Sequence, residues 1–213
     1  MPEAPPSARL PETGFWLSGV LSLVLVGACL AAYLQGGGSL EAVRFIGRWT
    51  IRVAVVLFSL AFMAAALASL LPGRTTKWLL ENHRNIMVAF SVAFALHLCA
   101  IARFFSLDQG LFWSVSPVFL IVLRGIGVAF IVLTLFASLG GGRRERWTWL
   151  TALGYYYVCG AFLAGFAKRI PQDHFYIAPV ALLSLALVVN LLSVVKQRNM
   201  RASQRSIGSS DHE

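Results

Sequence analysis

Six apolar runs of about twenty residues constrain this chain more than any motif does: roughly 15–34, 51–72, 85–105, 112–138, 148–167 and 175–195. Each is long enough to cross ~30 Å of hydrocarbon as a helix rising 1.5 Å per residue. The membrane interior offers no water to pair with backbone N–H and C=O groups, and a helix pairs them internally. The expected fold is therefore all-α, a polytopic membrane protein built as a six-transmembrane-helix bundle. With 58% of its 213 residues hydrophobic and 13% charged, the chain has no length left for a soluble domain. The Pro-rich head at 1–14 and the basic Ser/Arg-rich tail at 196–213 have the composition of disordered segments, and they flank a membrane domain at 15–195. Phe15–Leu34 is read as a true span rather than a cleaved signal: the run is too long for a signal core, and the head carries one Arg against two Glu.

The net charge of +9 does not point to nucleic acid here, because its distribution between loops follows the membrane. With the N-terminus inside, the inner side collects eleven Lys and Arg and the outer side six, with Arg124 inside a span. Both termini are expected in the cytoplasm, and the localisation is an inner (plasma) membrane. The lipid bilayer is the first partner.

"GGG" at 36–38, "LPGR" at 71–74, "GGGRR" at 140–144 and "KRIPQD" at 168–173 read as loops between spans. Small residues in "AFMAAALASL" and "GYYYVCGAFLAG" are expected to face protein, since they let helices approach closely. Cys29, Cys99 and Cys159 fall on three different spans without CxxC spacing and read as packing residues.

An ionisable group within hydrocarbon is costly, which makes each one a candidate site. His97, Arg124 and Asn190 lie inside spans, and His83 and Lys168 at span edges. His83 and His97 are 14 residues apart, close to four turns and about 21 Å of rise, so they project from nearly one helix face at opposite depths. Neutral imidazole ligates haem iron, and such a pair suits a helix that supplies one axial ligand to each of two stacked haems. On spacing alone the plainer reading of the pair is an interfacial His83 beside Glu81 and Arg84, with His97 hydrogen-bonded to a neighbouring helix. Arg124 reads either as an anchor for an anion such as a haem propionate, or for a quinone oxygen, or as a snorkelling or paired residue. Asn190 reads as a helix-packing hydrogen bond. No carboxylate lies within a span, which weakens a proton-coupled transporter. No phosphate-binding Gly-rich loop, HExxH, nucleophile elbow or dinucleotide fingerprint occurs, so any electrons come from a protein partner.

"FIGRWTIRVAVVLFSLAFMAAAL", "HRNIMVAFSVAFALHL" and "RRERWTWLTALGYYYVCGAFLAGFAKR" together resemble three successive landmarks of the ferric reductase-like transmembrane domain family, over residues 45 to 169. Its members include the haem-binding membrane subunit of the bacterial methionine sulfoxide reductase system. The resemblance implies haem b, with His97 as the iron ligand of the "LH" landmark and His83 at the second ligand position of two-haem relatives. The later helix departs from the pattern, because the two partner-histidine positions read Thr151 and Ala164. Tyr155 and Lys168, each one turn further on, are the substitutes nearest to hand. Two readings follow from the resemblance: a haem-poor or haem-less structural or accessory subunit of a membrane redox system, or a b-type haem electron-transfer subunit using His97. A quinone or small-molecule site near Arg124 is a third.

Overall fold

The computed structural model describes residues 16–115, 118–139 and 144–210, and every regular element among them is helical. In chain order these are α1 (Trp16–Gln35), α2 (Leu40–Leu70), α3 (Arg74–Glu81), α4 (His83–Leu107), α5 (Gln109–Val115), α6 (Val118–Leu139), α7 (Arg144–Ala167) and α8 (Ile177–Ser210). A short 3-10 turn, His174–Tyr176, leads into α8. The head at 1–14 lies outside the described residues. Five stretches are long and apolar enough to cross a membrane: Trp16–Gln35, Leu40–Leu70, His83–Leu107, Trp149–Ala167 and His174–Met200. Within α6 the described apolar stretch is shorter, Gly125–Phe136.

The bundle is organised around α2, which packs along α4 and α8, while α7 sits between α6 and α8 and α1 rests on α4. Buried residues on α2 recur at 54, 55, 58, 61 and 62, and on α4 at 86, 87, 90 and 93, the three-to-four spacing of one helix face. Lipid is as apolar as leucine, so what holds these faces together is close packing. Ala54, Ala64, Ala89 and Ala93, all fully buried, bring the helices near enough for it. The outer surface is apolar too, with Leu23 73% and Phe136 68% exposed, as a lipid-facing surface requires.

Of the small residues on α2, Ala61, Ala64 and Ala66 are buried and Ala65 is exposed, whereas on α7 Gly154 and Cys159 are buried and the later ones are not. Gly160, Ala161, Ala164 and Gly165 are exposed, and Phe162 and Phe166 occupy the inner face. Cys29 and Cys159 are buried in the packing, while Cys99 is exposed.

The α1–α2 connection depends on glycine. Gly37 and Gly38 have φ of +59° and +67°, and a Cβ on Gly36 would collide with that of Ala42. Ser39 then caps α2 by accepting from the Ala42 N–H at 3.3 Å.

Three helix limits differ from the expectation. α2 begins at Leu40, not near 51, because Arg44, Arg48 and Arg52 dilute hydropathy without opposing a helix. Its 31 residues measure about 46 Å, well beyond a hydrocarbon slab of ~30 Å. The segment after "LPG" is helical as α3, where the Gly73 N–H donates to Thr76 Oγ1 at 3.0 Å. Finally, α8 runs on to Ser210, through a stretch read as a disordered tail. The helix is already nucleated there, and Lys, Gln, Arg, Met and Ala carry it with no Gly before Gly208.

Three hydrogen-bonded links tie α8 to α2. Ser69 and Ser193 hydroxyls lie 2.7 Å apart, and Lys196 Nζ donates to Ser69 O at 2.7 Å. Asn190 acts as the packing residue expected, its Nδ2 donating to Phe62 O at 3.0 Å and Ala186 O at 2.8 Å.

Candidate functional site

The two histidines of α4 are engaged by different neighbours. His97 Nδ1 is 2.9 Å from the Gly47 carbonyl of α2. A carbonyl can only accept, so Nδ1 carries the proton and the ring is held in one tautomer. His83 Nε2 is 3.1 Å from the Tyr155 hydroxyl of α7. Tyr155 also stacks on Phe62, with ring centroids 6.0 Å apart, so His83 stands level with Phe62, two turns before α2 ends at Leu70. His83 is half-buried, bonded to α7 on one side while its neighbours Glu81 and Arg84 are exposed.

The backbone explains this. Asn82, with φ −92° and ψ 4°, joins α3 to α4, and the hydrogen bonds Asn82 N–H to Trp78 O (2.9 Å) and Ile86 N–H to Asn82 O (3.0 Å) continue the helical ladder across the joint. The two helices run on through this joint, with Glu81 ending α3 and Arg84 exposed on α4 beside His83. Asn82 is 1% exposed, with Nδ2 donating to Trp78 O at 2.9 Å, and Asn85 Nδ2 donates to Asn82 Oδ1 at 3.3 Å. Asn82 and Asn85 are buried polar neighbours of the half-buried His83–Tyr155 pair. The two asparagines carried a legible signal, three residues apart beside a histidine, that hydropathy alone passes over.

Between the His83–Tyr155 pair and His97 the space is filled by aromatic rings. Phe58 of α2 lies 5.4 Å from Phe90 of α4 and 5.7 Å from Phe162 of α7, centroid to centroid. Phe162 in turn lies 6.2 Å from Phe94, whose ring is 6.1 Å from His97. Edge-to-face and tilted contacts at these distances are the favoured aromatic geometries. The rings of Phe90, Phe94 and Phe162 meet across α4 and α7.

On α7 the two expected partner positions carry no histidine. Ala164, at one expected partner position, is exposed on the outer face, opposite Phe162 and Phe166. Thr151 is half-buried, and Lys168 is exposed just beyond the end of α7. Of the two substitutes, Tyr155 alone meets a histidine, through a hydrogen bond that occupies its hydroxyl. The residues present do not fit a bis-histidine haem. Arg124 lies on α6, and its side chain is outside the described residues.

No protein-family model matches the chain, and no curated protein or solved structure matches it.

The Tyr155–His83 bond sets a measurable expectation. Tyr155→Phe keeps the stacking and removes the hydroxyl, so it should cost on the order of 1 kcal/mol. A double-mutant cycle with His83→Ala, read by thermal unfolding in detergent, should return a coupling of similar size. Strict additivity would show that the bond contributes nothing.

Proposed function

We propose that this chain is a haem-less accessory subunit of a membrane redox assembly, a divergent ferric reductase-like bundle that keeps the helices and lacks the cofactor seam. α6 is its sixth span, and both termini lie in the cytoplasm of a cell whose inner (plasma) membrane holds it. The excess of Lys and Arg on that side supports the orientation. The observation that carries the proposal is the aromatic column. Phe58, Phe90, Phe94 and Phe162 occupy the seam between α2, α4 and α7, and Ala164 turns away from it. The family itself rests on the quoted landmarks of residues 45 to 169.

A second reading, a b-type haem electron-transfer subunit using His97, is favoured by one contact. An Nδ1–H bonded to a backbone carbonyl, as His97 makes to Gly47, is the arrangement that orients metal-ligating histidines.

Visible absorbance of the purified protein separates the two. Expression with haem supplied should give no Soret band and no reduced α-band, and Ala164→His should not create one, since that position points outward. A stoichiometric Soret band in the unaltered protein that is abolished by His97→Ala would reverse the order of the two readings.

A further inference from the structure

At the end of the bundle away from α3, a cleft of about 310 Å³ is lined by Phe45, Arg48, Trp49, Arg52 and Asp173. From it we propose a binding site for the headgroup of a zwitterionic phospholipid bearing a phosphate and a primary ammonium, the phosphate on Arg48 and Arg52 and the ammonium on Asp173. The site is independent of the redox reading.

Charge and hydrogen bonding leave the arginines with donors to spend. Arg48 and Arg52 stand one turn apart on α2, about 6 Å along its axis, on the same face. Arg52 Nη2 is 3.9 Å from Asp173 Oδ2, an ion pair too long to be a hydrogen bond. Its Nε is buried without an acceptor among the described residues. Its guanidinium lies 4.0 Å from the centre of the Phe175 ring, which fixes its plane. Arg48 donates from Nε to Arg44 O at 3.4 Å, a weak bond. Two guanidinium groups facing one carboxylate leave a net positive cleft, and planar forked donors suit phosphate oxygens.

Asp173 decides which phosphate. Its Oδ1 accepts from the Phe175 N–H at 2.9 Å, and its Oδ2 is the oxygen turned to Arg52 and the cleft. A carboxylate there repels a purely anionic headgroup and attracts an ammonium. The position fits a lipid rather than a solute: the 3-10 turn beside the cleft opens the apolar stretch His174–Met200, which places the cleft at the hydrocarbon boundary. Trp49 is half-buried and Phe45 is 57% exposed, an aromatic pair of the kind that sits at headgroup level.

Native mass spectrometry of the full-length protein in detergent tests the site, with phosphatidylethanolamine, phosphatidylglycerol and soluble glycerophosphoethanolamine each titrated in. Phosphatidylethanolamine should be retained in preference to the other two, and Arg48→Gln with Arg52→Gln should lower its retention about tenfold or more. Asp173→Asn keeps the acceptor for the Phe175 N–H and should turn the preference toward phosphatidylglycerol, while Asp173→Glu should keep the original order. Thermal unfolding of each variant without lipid confirms that it is folded. The proposal is overturned if the unaltered protein prefers phosphatidylglycerol, if Asp173→Asn leaves the lipid order unchanged, or if glycerophosphoethanolamine binds as well as the lipid, which would assign the cleft to a soluble zwitterion.

Discussion

Phe58→Ala should cost about 3 kcal/mol or more, the largest loss expected from one side chain of this bundle. Phe58 is 1% exposed, and its ring meets Phe62 at 5.6 Å, Phe90 at 5.4 Å, Tyr155 at 6.1 Å and Phe162 at 5.7 Å. It therefore joins α2 to both α4 and α7. In a membrane the helices gain little from leaving lipid, so the loss consists of dispersion contacts and of a cavity that stiff neighbouring helices cannot close. Phe45→Ala is the matched control, since that ring is 57% exposed and lines the cleft. Reversible unfolding in mixed micelles measures both. If the two variants lost the same stability, the aromatic column would not be what holds the seam shut.

The class of this fold was legible because hydrocarbon thickness sets a length, and runs such as 15–34 and 175–195 meet it. The limits of α2, α3 and α8 were less legible, since helix formation tolerates the arginines, threonines and serines that hydropathy counts against a span. The site divides in the same way. The interval between His83 and His97 is local and could be read directly. Their partners could not, because the Tyr155–His83 contact joins residues 72 apart and the rotation of α7 depends on which of its faces meets Phe58 and Phe90. Matching Ala164 to a ligand position assumed a rotation that Phe162 and Phe166 take instead. The cleft was visible only as three arginines at four-residue spacing, and its specificity rests on Asp173 from the loop before α8.

Two glycines of α7 should respond to the same substitution with opposite signs, which tests whether α6 is seated as described. Gly154 is buried against α6, where an added Cβ would stand 3.0 Å from Phe130 Cδ1 and 3.4 Å from Thr134 Cγ2. The neighbouring contact between Phe130 and Tyr157, at 5.1 Å between centroids, leaves the Phe130 ring little room to turn. Gly154→Leu should therefore force α6 from α7 and cost about 1–3 kcal/mol, offset only in part by the better helix propensity of leucine. Gly160 has nothing within 4 Å of an added Cβ, so Gly160→Leu keeps the propensity gain of up to about 1 kcal/mol with no clash to oppose it. Unfolding midpoints of the two variants in the same detergent should move apart, Gly154→Leu downward and Gly160→Leu level or upward. A fall at Gly160 matching that at Gly154 would mean that the outer face of α7 is itself packed, against a partner helix or a second copy.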